Sequence, residues 1–151
     1  MTGAGLVEKT VVLSCSVERA FALFTEHASE WWPPERRHAG DPESTIAILA
    51  AGRFFELARD GREVELGRVR VFEPPSRLVL DFYPGTDPEH PTEVEVLFAP
   101  EDSGARTRVT VLHRSTAASE SLFESRAPRY VASWDLLLGS LAAFANGVAH
   151  R

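Results

Sequence analysis

Apolar and polar residues alternate along most of the chain, and the alternation gives way to a helical period near its end. Val7, Val11 and Leu13 share one parity, with Lys9 the exception, so Leu6 to Leu13 predicts a strand. Ser16 then stands before Val17-Glu18-Arg19-Ala20-Phe21-Ala22-Leu23-Phe24. Serine is a good N-cap, Glu18 suits the positive helix end, and Val17, Phe21 and Phe24 fall on one stripe. A short helix ending near Thr25 follows from this pattern. A second is expected over Glu26 to Trp32, stopped by Pro33-Pro34 because the residue before a proline leaves the helical region. After a polar loop from Glu35 to Glu43, strand signals recur at intervals of roughly ten residues. Ile46 and Ile48 mark one strand within Ser44 to Ala50, and Phe55 and Leu57 mark the next within Arg53 to Ala58. Asp60-Gly61 is a hairpin turn. Val64 and Leu66, then Val69 and Val71, alternate with a one-residue slip near Gly67-Arg68, as a β-bulge produces. Pro74-Pro75 makes the next turn, and Arg77 to Tyr83 alternates through Leu78, Leu80 and Phe82. Beyond a loop over Pro84 to Pro91, Glu93 to Phe98 alternates through Val94, Val96 and Phe98. Asp102-Ser103-Gly104 turns the chain into Arg106 to His113, which carries Val109 and Val111.

The rest reads as helix. Ser121 and Glu124 have capping-box spacing, and Pro128 suits the first turn of a longer helix. From Tyr130 through Val131, Trp134, Leu137, Leu138, Leu141, Phe144 and Ala145, apolar residues recur at helical spacing and form one stripe. Gly147 is the expected C-cap. The order is strand, two short helices, six strands and one long helix. Such a hairpin series makes a curved antiparallel sheet, an α+β architecture, with one face to be covered. Only the C-terminal helix is long and apolar enough to cover it. A wedge between the two is where a cavity would lie.

Composition narrows the class. The chain has 151 residues, a size that fits one domain over 1–151. Its net charge of −6 argues against a nucleic-acid partner. Cys15 is the only cysteine, so no internal disulfide or cysteine zinc cluster is expected. With neither a signal-peptide pattern nor an apolar run of membrane-spanning length, the expected setting is the cytoplasm.

Several motifs carry a resemblance that covers about Val7 to Gly147. They are the segment Ser16 to Thr25, Trp31-Trp32-Pro33, Asp60-Gly61, Gly67-Arg68-Val69, Phe72-Glu73-Pro74-Pro75-Ser76-Arg77-Leu78, Thr107 to His113, and Ser133-Trp134 followed by Leu137-Leu138 and Leu141. They resemble the START-like (SRPBCC) superfamily, and within it the homologues of the heat-shock-protein-90 ATPase activator. Ser133 stands where that family often has glycine, and Phe82-Tyr83 where it often has an aromatic pair with tryptophan. The resemblance implies a helix-grip, birch-pollen-allergen-like fold: six to seven antiparallel strands around a long C-terminal helix, with two short helices after the first strand. It also implies a mostly apolar cavity for a small hydrophobic molecule. Cyclase, aromatase or hydrolase chemistry and a co-chaperone role are the alternatives it carries.

The chemistry-bearing residues add little that is catalytic. There is no GxGxxG, no GxxxxGK[ST] and no GxSxG. His27 with Glu30, and Glu35 with His38, have helical spacing but no third ligand, so no metal and no cofactor is expected. His113 shares the inward parity of Val109 and Val111, where it can meet a ligand, act as acid or base, or simply bond to the backbone or water. Tyr130, on the helix stripe, is the better-placed tyrosine hydroxyl; Tyr83 has the outward parity. Of Trp31 and Trp32, one is expected in the core and the other at the cavity mouth. Arg53, Arg68 and Arg70 either pair with glutamates on the solvent face or, where one points inward, anchor a carboxylate or phenolate ligand, and the strand slip leaves the facing of Arg68 open. Arg36-Arg37 is expected to be a solvated surface. The expected ligand-binding residues are Trp32, Phe55, Leu80, Phe82, Val96, Phe98, Val111, His113, Tyr130, Trp134 and Leu138, with no catalytic residue assigned. A homodimer through a sheet edge is the further partner considered.

Overall fold

A computed structural model describes residues 5–147. Seven strands form one sheet: β1 (Leu6–Leu13), β2 (Thr45–Ile48), β3 (Arg53–Leu57), β4 (Glu63–Glu73), β5 (Arg77–Phe82), β6 (Thr92–Glu101) and β7 (Arg106–Arg114). Their spatial order is β1-β7-β6-β5-β4-β3-β2, and every neighbouring pair is antiparallel. The sheet curls into a half-barrel, the helix-grip fold. Between β1 and β2 come α1 (Val17–Thr25) and α2 (Ala28–Trp31), then a 3₁₀ turn at Pro34–Arg36. The chain ends in α3 (Glu120–Ala142) and a wider helical turn at Ala143–Gly147. Among the described residues no helix is long and apolar enough to cross a membrane.

The local causes are those the pattern carries. Ser16 caps α1, its Oγ accepting from the Arg19 N–H at 3.2 Å. Trp31 closes α2, and Trp32 is already extended before Pro33. The slip in β4 is real: Gly67 pairs with Phe54 and Glu65 with Phe55, which leaves Leu66 as the extra residue. Gly67 is needed there, because a Cβ at this position would overlap the Asp81 carbonyl of β5. On the concave face Val94, Val96, Phe98, Val109, Val111 and Leu80 pack against Trp134, Leu137, Leu138 and Leu141 of α3 in one core. Phe21 and Phe24 of α1 extend that core edge-to-face around Phe98.

Three readings of the pattern are corrected. The inward residues of β3 are Phe54 and Glu56, not Phe55 and Leu57: Phe54 joins the core, while Phe55 lies outside it under the Arg53 guanidinium at 3.8 Å. Helix α3 starts at Glu120 with Ser119 as N-cap, so Ser121 is inside the helix. Pro128 therefore lies within α3, in its third turn, and not at the start of a helix.

The convex face is charged and self-paired. Arg77 meets Glu95 at 2.8 Å, Arg114 meets Glu95 at 3.2 Å as well as Glu93, and Arg53 meets Glu63 at 2.8 Å and also Glu65. Arg70 reaches Asp81, and Arg68 is exposed. Such half-exposed pairs contribute about 0–1 kcal/mol each. The one lysine, Lys9, leaves the edge strand β1 to pair with Asp135 of α3 at 3.0 Å.

Candidate functional site

A cavity of about 370 Å³ lies at one end of the half-barrel. Its walls come from three places: Trp32 through His38 after α2, Phe82 to Gly85 at the end of β5, and Arg129 to Leu137 on α3. Trp32, Phe82, Tyr130 and Trp134 make an aromatic surface there. Phe82 and Trp134 have ring centroids 6.0 Å apart at 35°, and Phe82 meets Tyr130 edge-on at 6.5 Å. The rim is polar, with Glu35, Arg36, His38, Arg129 and Ser133.

Each wall is held for a local reason. The Trp32 indole N–H donates to the Arg36 carbonyl at 3.1 Å, which folds the 3₁₀ turn over the ring. Arg36 Nε donates to Ser133 Oγ at 2.9 Å and ties that turn to α3. The Tyr130 hydroxyl donates to the Pro84 carbonyl at 3.0 Å, and its burial raises its pKa. Gly85 makes this approach possible: its φ is +87°, and a Cβ would sit 2.6 Å from the Tyr130 oxygen.

Behind the wall lies His113, which is fully buried. Trp134 Nε1, which can only donate, points at His113 Nδ1 from 3.0 Å. Nδ1 is therefore the bare nitrogen, and Nε2–H donates to Thr92 Oγ1 at 2.8 Å. The Thr92 hydroxyl in turn donates to the Phe82 carbonyl at 3.0 Å. Every polar side-chain atom in the series Trp134, His113 and Thr92 is satisfied with a neutral ring, and burial pulls the imidazole pKa down to about 3.

A second buried polar cluster fixes the rim. The Glu56 carboxylate is wholly buried and accepts from His38 N–H at 2.7 Å, Ala39 N–H at 2.9 Å and Ser44 Oγ at 2.7 Å. Arg37 lies beside it and donates to the carbonyls of Ser29 at 2.7 Å, Trp32 at 2.8 Å and Ser44. The pair Arg36-Arg37 is thus half-buried and structural, not a solvated surface.

Of the residues expected from sequence, Trp32, Phe82, Tyr130 and Trp134 line the cavity. Trp31 is core, its indole N–H held by the Leu23 carbonyl at 2.7 Å. His113 touches three of the lining rings without lining the space itself. Leu80, Val96, Phe98, Val111 and Leu138 are core packing away from the cavity, and Phe55 is on the opposite face. Missed were Arg129, Ala132 and Leu137 on α3, the rim from Glu35 to His38, and the Pro84-Gly85 corner. The helical residues were within reach, since they share a flank with Tyr130 and Trp134. His27 and Glu30 bond to each other at 2.6 Å, and among the described residues no cluster suited to a metal gathers. Burial raises the Cys15 thiol pKa, with Arg19 opposing.

Comparison with known proteins agrees with this architecture. The family model described as Activator of Hsp90 ATPase homolog 1-like protein matches residues 14–146. The chain belongs to that family. No curated protein matches it significantly in sequence. Among solved structures, this family member is similar to CalC from Micromonospora echinospora, a self-sacrificing resistance protein, at 25% identity and a TM-score of 0.70 over 92% of each chain. It is similar to Txn09, an anthrahydroquino-γ-pyrone synthase complexed with SUM, at 28% identity and a TM-score of 0.56, over 93% of this chain and 95% of that one. Protein NE0264 from Nitrosomonas europaea shares the fold at 14% identity and a TM-score of 0.65, over 94% of each chain.

Proposed function

We propose that the protein binds a small hydrophobic or aromatic molecule in the cavity between sheet and α3, and does so without catalysing a reaction. The observation that carries this reading is the aromatic surface of Trp32, Phe82, Tyr130 and Trp134 around about 370 Å³ of space. That volume is in the range of ligand pockets, and ring-lined walls favour flat apolar bodies. The candidate acid and base are already engaged elsewhere: His113 is neutral and bonded at both nitrogens, and the Tyr130 proton is given to Pro84. The likeness to Txn09, whose description names a fused aromatic pyrone product, supports an aromatic ligand.

That same likeness favours one second reading, an enzyme acting on such a ligand with the rim groups as its polar machinery. The family's description carries a third, a chaperone as partner. The test is titration with a panel of aromatic metabolites and lipids, followed by tryptophan fluorescence, together with mass spectrometry of small molecules extracted from the purified protein. Saturable quenching by an aromatic ligand that is recovered unchanged is the expected result. Recovery of a converted product replaces binding with catalysis. An absence of quenching and of any co-purified molecule overturns the cavity reading.

A further inference from the structure

The rim of the cavity carries positive charge that the protein does not neutralise. On the convex face Arg53, Arg77, Arg108 and Arg114 meet carboxylates, while Arg68 meets none among the described residues. Around the cavity the situation differs. Arg36 uses Nε on Ser133 and Nη1 on the Glu35 carbonyl at 3.4 Å, and Nη2 has no acceptor among the described residues. Arg129 lines the cavity and, among the described residues, makes neither a side-chain hydrogen bond nor an ion pair. Arg126 sits one turn earlier, giving Nε to the carbonyl of cavity-lining Gly85 at 2.7 Å and Nη1 to Ser125 at 2.8 Å, again with no carboxylate among the described residues. Glu35 is the one acidic residue of the lining. A chain of net charge −6 has carboxylates to spare, yet it leaves these guanidinium groups without them.

Given the reading of the cavity as an aromatic-ligand site, on which this rests, we infer that the ligand carries an acidic group, a carboxylate or phenolate, on its aromatic body, and that Arg129 and Arg36 select for it at the rim. The guanidinium fork suits a planar oxyanion, and both share the cavity with the stacked rings. Apolar walls on one side of the rim lower the local dielectric and strengthen the attraction relative to open surface. The rings would lie against Trp134 and Phe82 while the acid points outward to the arginines, so one molecule satisfies both halves of the site.

Anthraquinone-2-carboxylate and anthraquinone-2-carboxamide have the same rings and differ in charge, so they separate the two claims. Calorimetric titration of the wild-type protein should show the acid binding about tenfold more tightly than the amide, the scale of a charge-assisted contact. Arg129→Gln, at an exposed position, should remove most of that preference, weakening the acid far more than the amide. Arg36→Gln should narrow the preference in part and also weaken both compounds somewhat, because Arg36 ties the rim turn to α3 through Ser133. Equal affinities for acid and amide, or a preference untouched in both variants, overturns the acidic-ligand inference and leaves the cavity reading in place. Failure of both compounds to bind, together with no quenching by the aromatic panel and no co-purified molecule, removes the cavity reading, and this inference with it.

Discussion

At the scale of single residues, the decisive arrangement is the hydrogen-bonded series Trp134, His113, Thr92 and the Phe82 carbonyl. A histidine at the cavity end of a strand invites an acid–base role, but here the donor-only indole assigns the tautomer and the threonine completes it. The consequence is a pH dependence of stability. The folded ring titrates at about 3 while the unfolded one titrates near its ordinary value of about 6.5, so the unfolded chain takes up the proton first. The contribution of His113 is complete above the ordinary value and is lost as the pH falls from there towards 3. Between pH 6.5 and 5 the loss should be about 1.5–2 kcal/mol, a range that stays above the carboxylates held low by their arginine and histidine partners, such as Glu95 and Asp87. Urea midpoints of the wild type and His113→Gln at the two pH values check this. The variant should lose less on acidification, and an identical loss would assign the dependence to other groups. The inward parity of His113 was legible from Val109 and Val111. Its partners were not, because Thr92 and Trp134 belong to other elements and come together only when the sheet closes on the helix.

At the scale of elements, β3 and α3 show where a local pattern stops short. Arg53-Phe54-Phe55-Glu56-Leu57 offers apolar residues at both parities, so alternation alone cannot choose a face. The choice is made by Glu56, whose carboxylate is sealed by the backbone of His38 and Ala39 and by Ser44. A buried glutamate is costly unless fully hydrogen-bonded, and the loop that bonds it lies almost twenty residues away. In α3 the proline was the misleading signal. Pro128 lacks the N–H that would reach the Glu124 carbonyl, and both residues are exposed, so the missing bond faces water. An interior helical proline costs about 3 kcal/mol relative to alanine. Pro128→Ala should therefore raise stability by about 1–3 kcal/mol, read as a higher denaturant midpoint with an unchanged slope. No gain would mean that the third turn of α3 has already adapted to the ring.

At the scale of the whole molecule, the apolar residues of the strands and helix do two different jobs. Most of the concave face is filled core, packed by α1 and its phenylalanines, while the end near Phe82, Trp32 and Tyr130 holds the cavity. The fold and the strand order were legible from alternation and motif resemblance. The division between core and cavity was not, since Leu80, Val96 and Val111 have the same pattern as a cavity wall and differ only in what the helix places against them. Blocking the open end should separate binding from folding. Ala132 lines the cavity from an exposed position on α3, so Ala132→Phe should lower the affinity for an aromatic ligand at least tenfold while stability stays within about 0.5 kcal/mol. Full affinity in that variant would move the binding site elsewhere. The helix also has a second flank. Glu124, Ala127, Pro128 and Val131 border a groove with β1, turned away from the residues that line the cavity, and Lys9 lies along that groove beside Asp135. No other side chain bears an amine, so apart from the chain's α-amine an amine-reactive linker has one address. Protein tethered through Lys9 would stand on the β1 side, leaving the α3 residues that line the cavity clear for screening ligands on a surface.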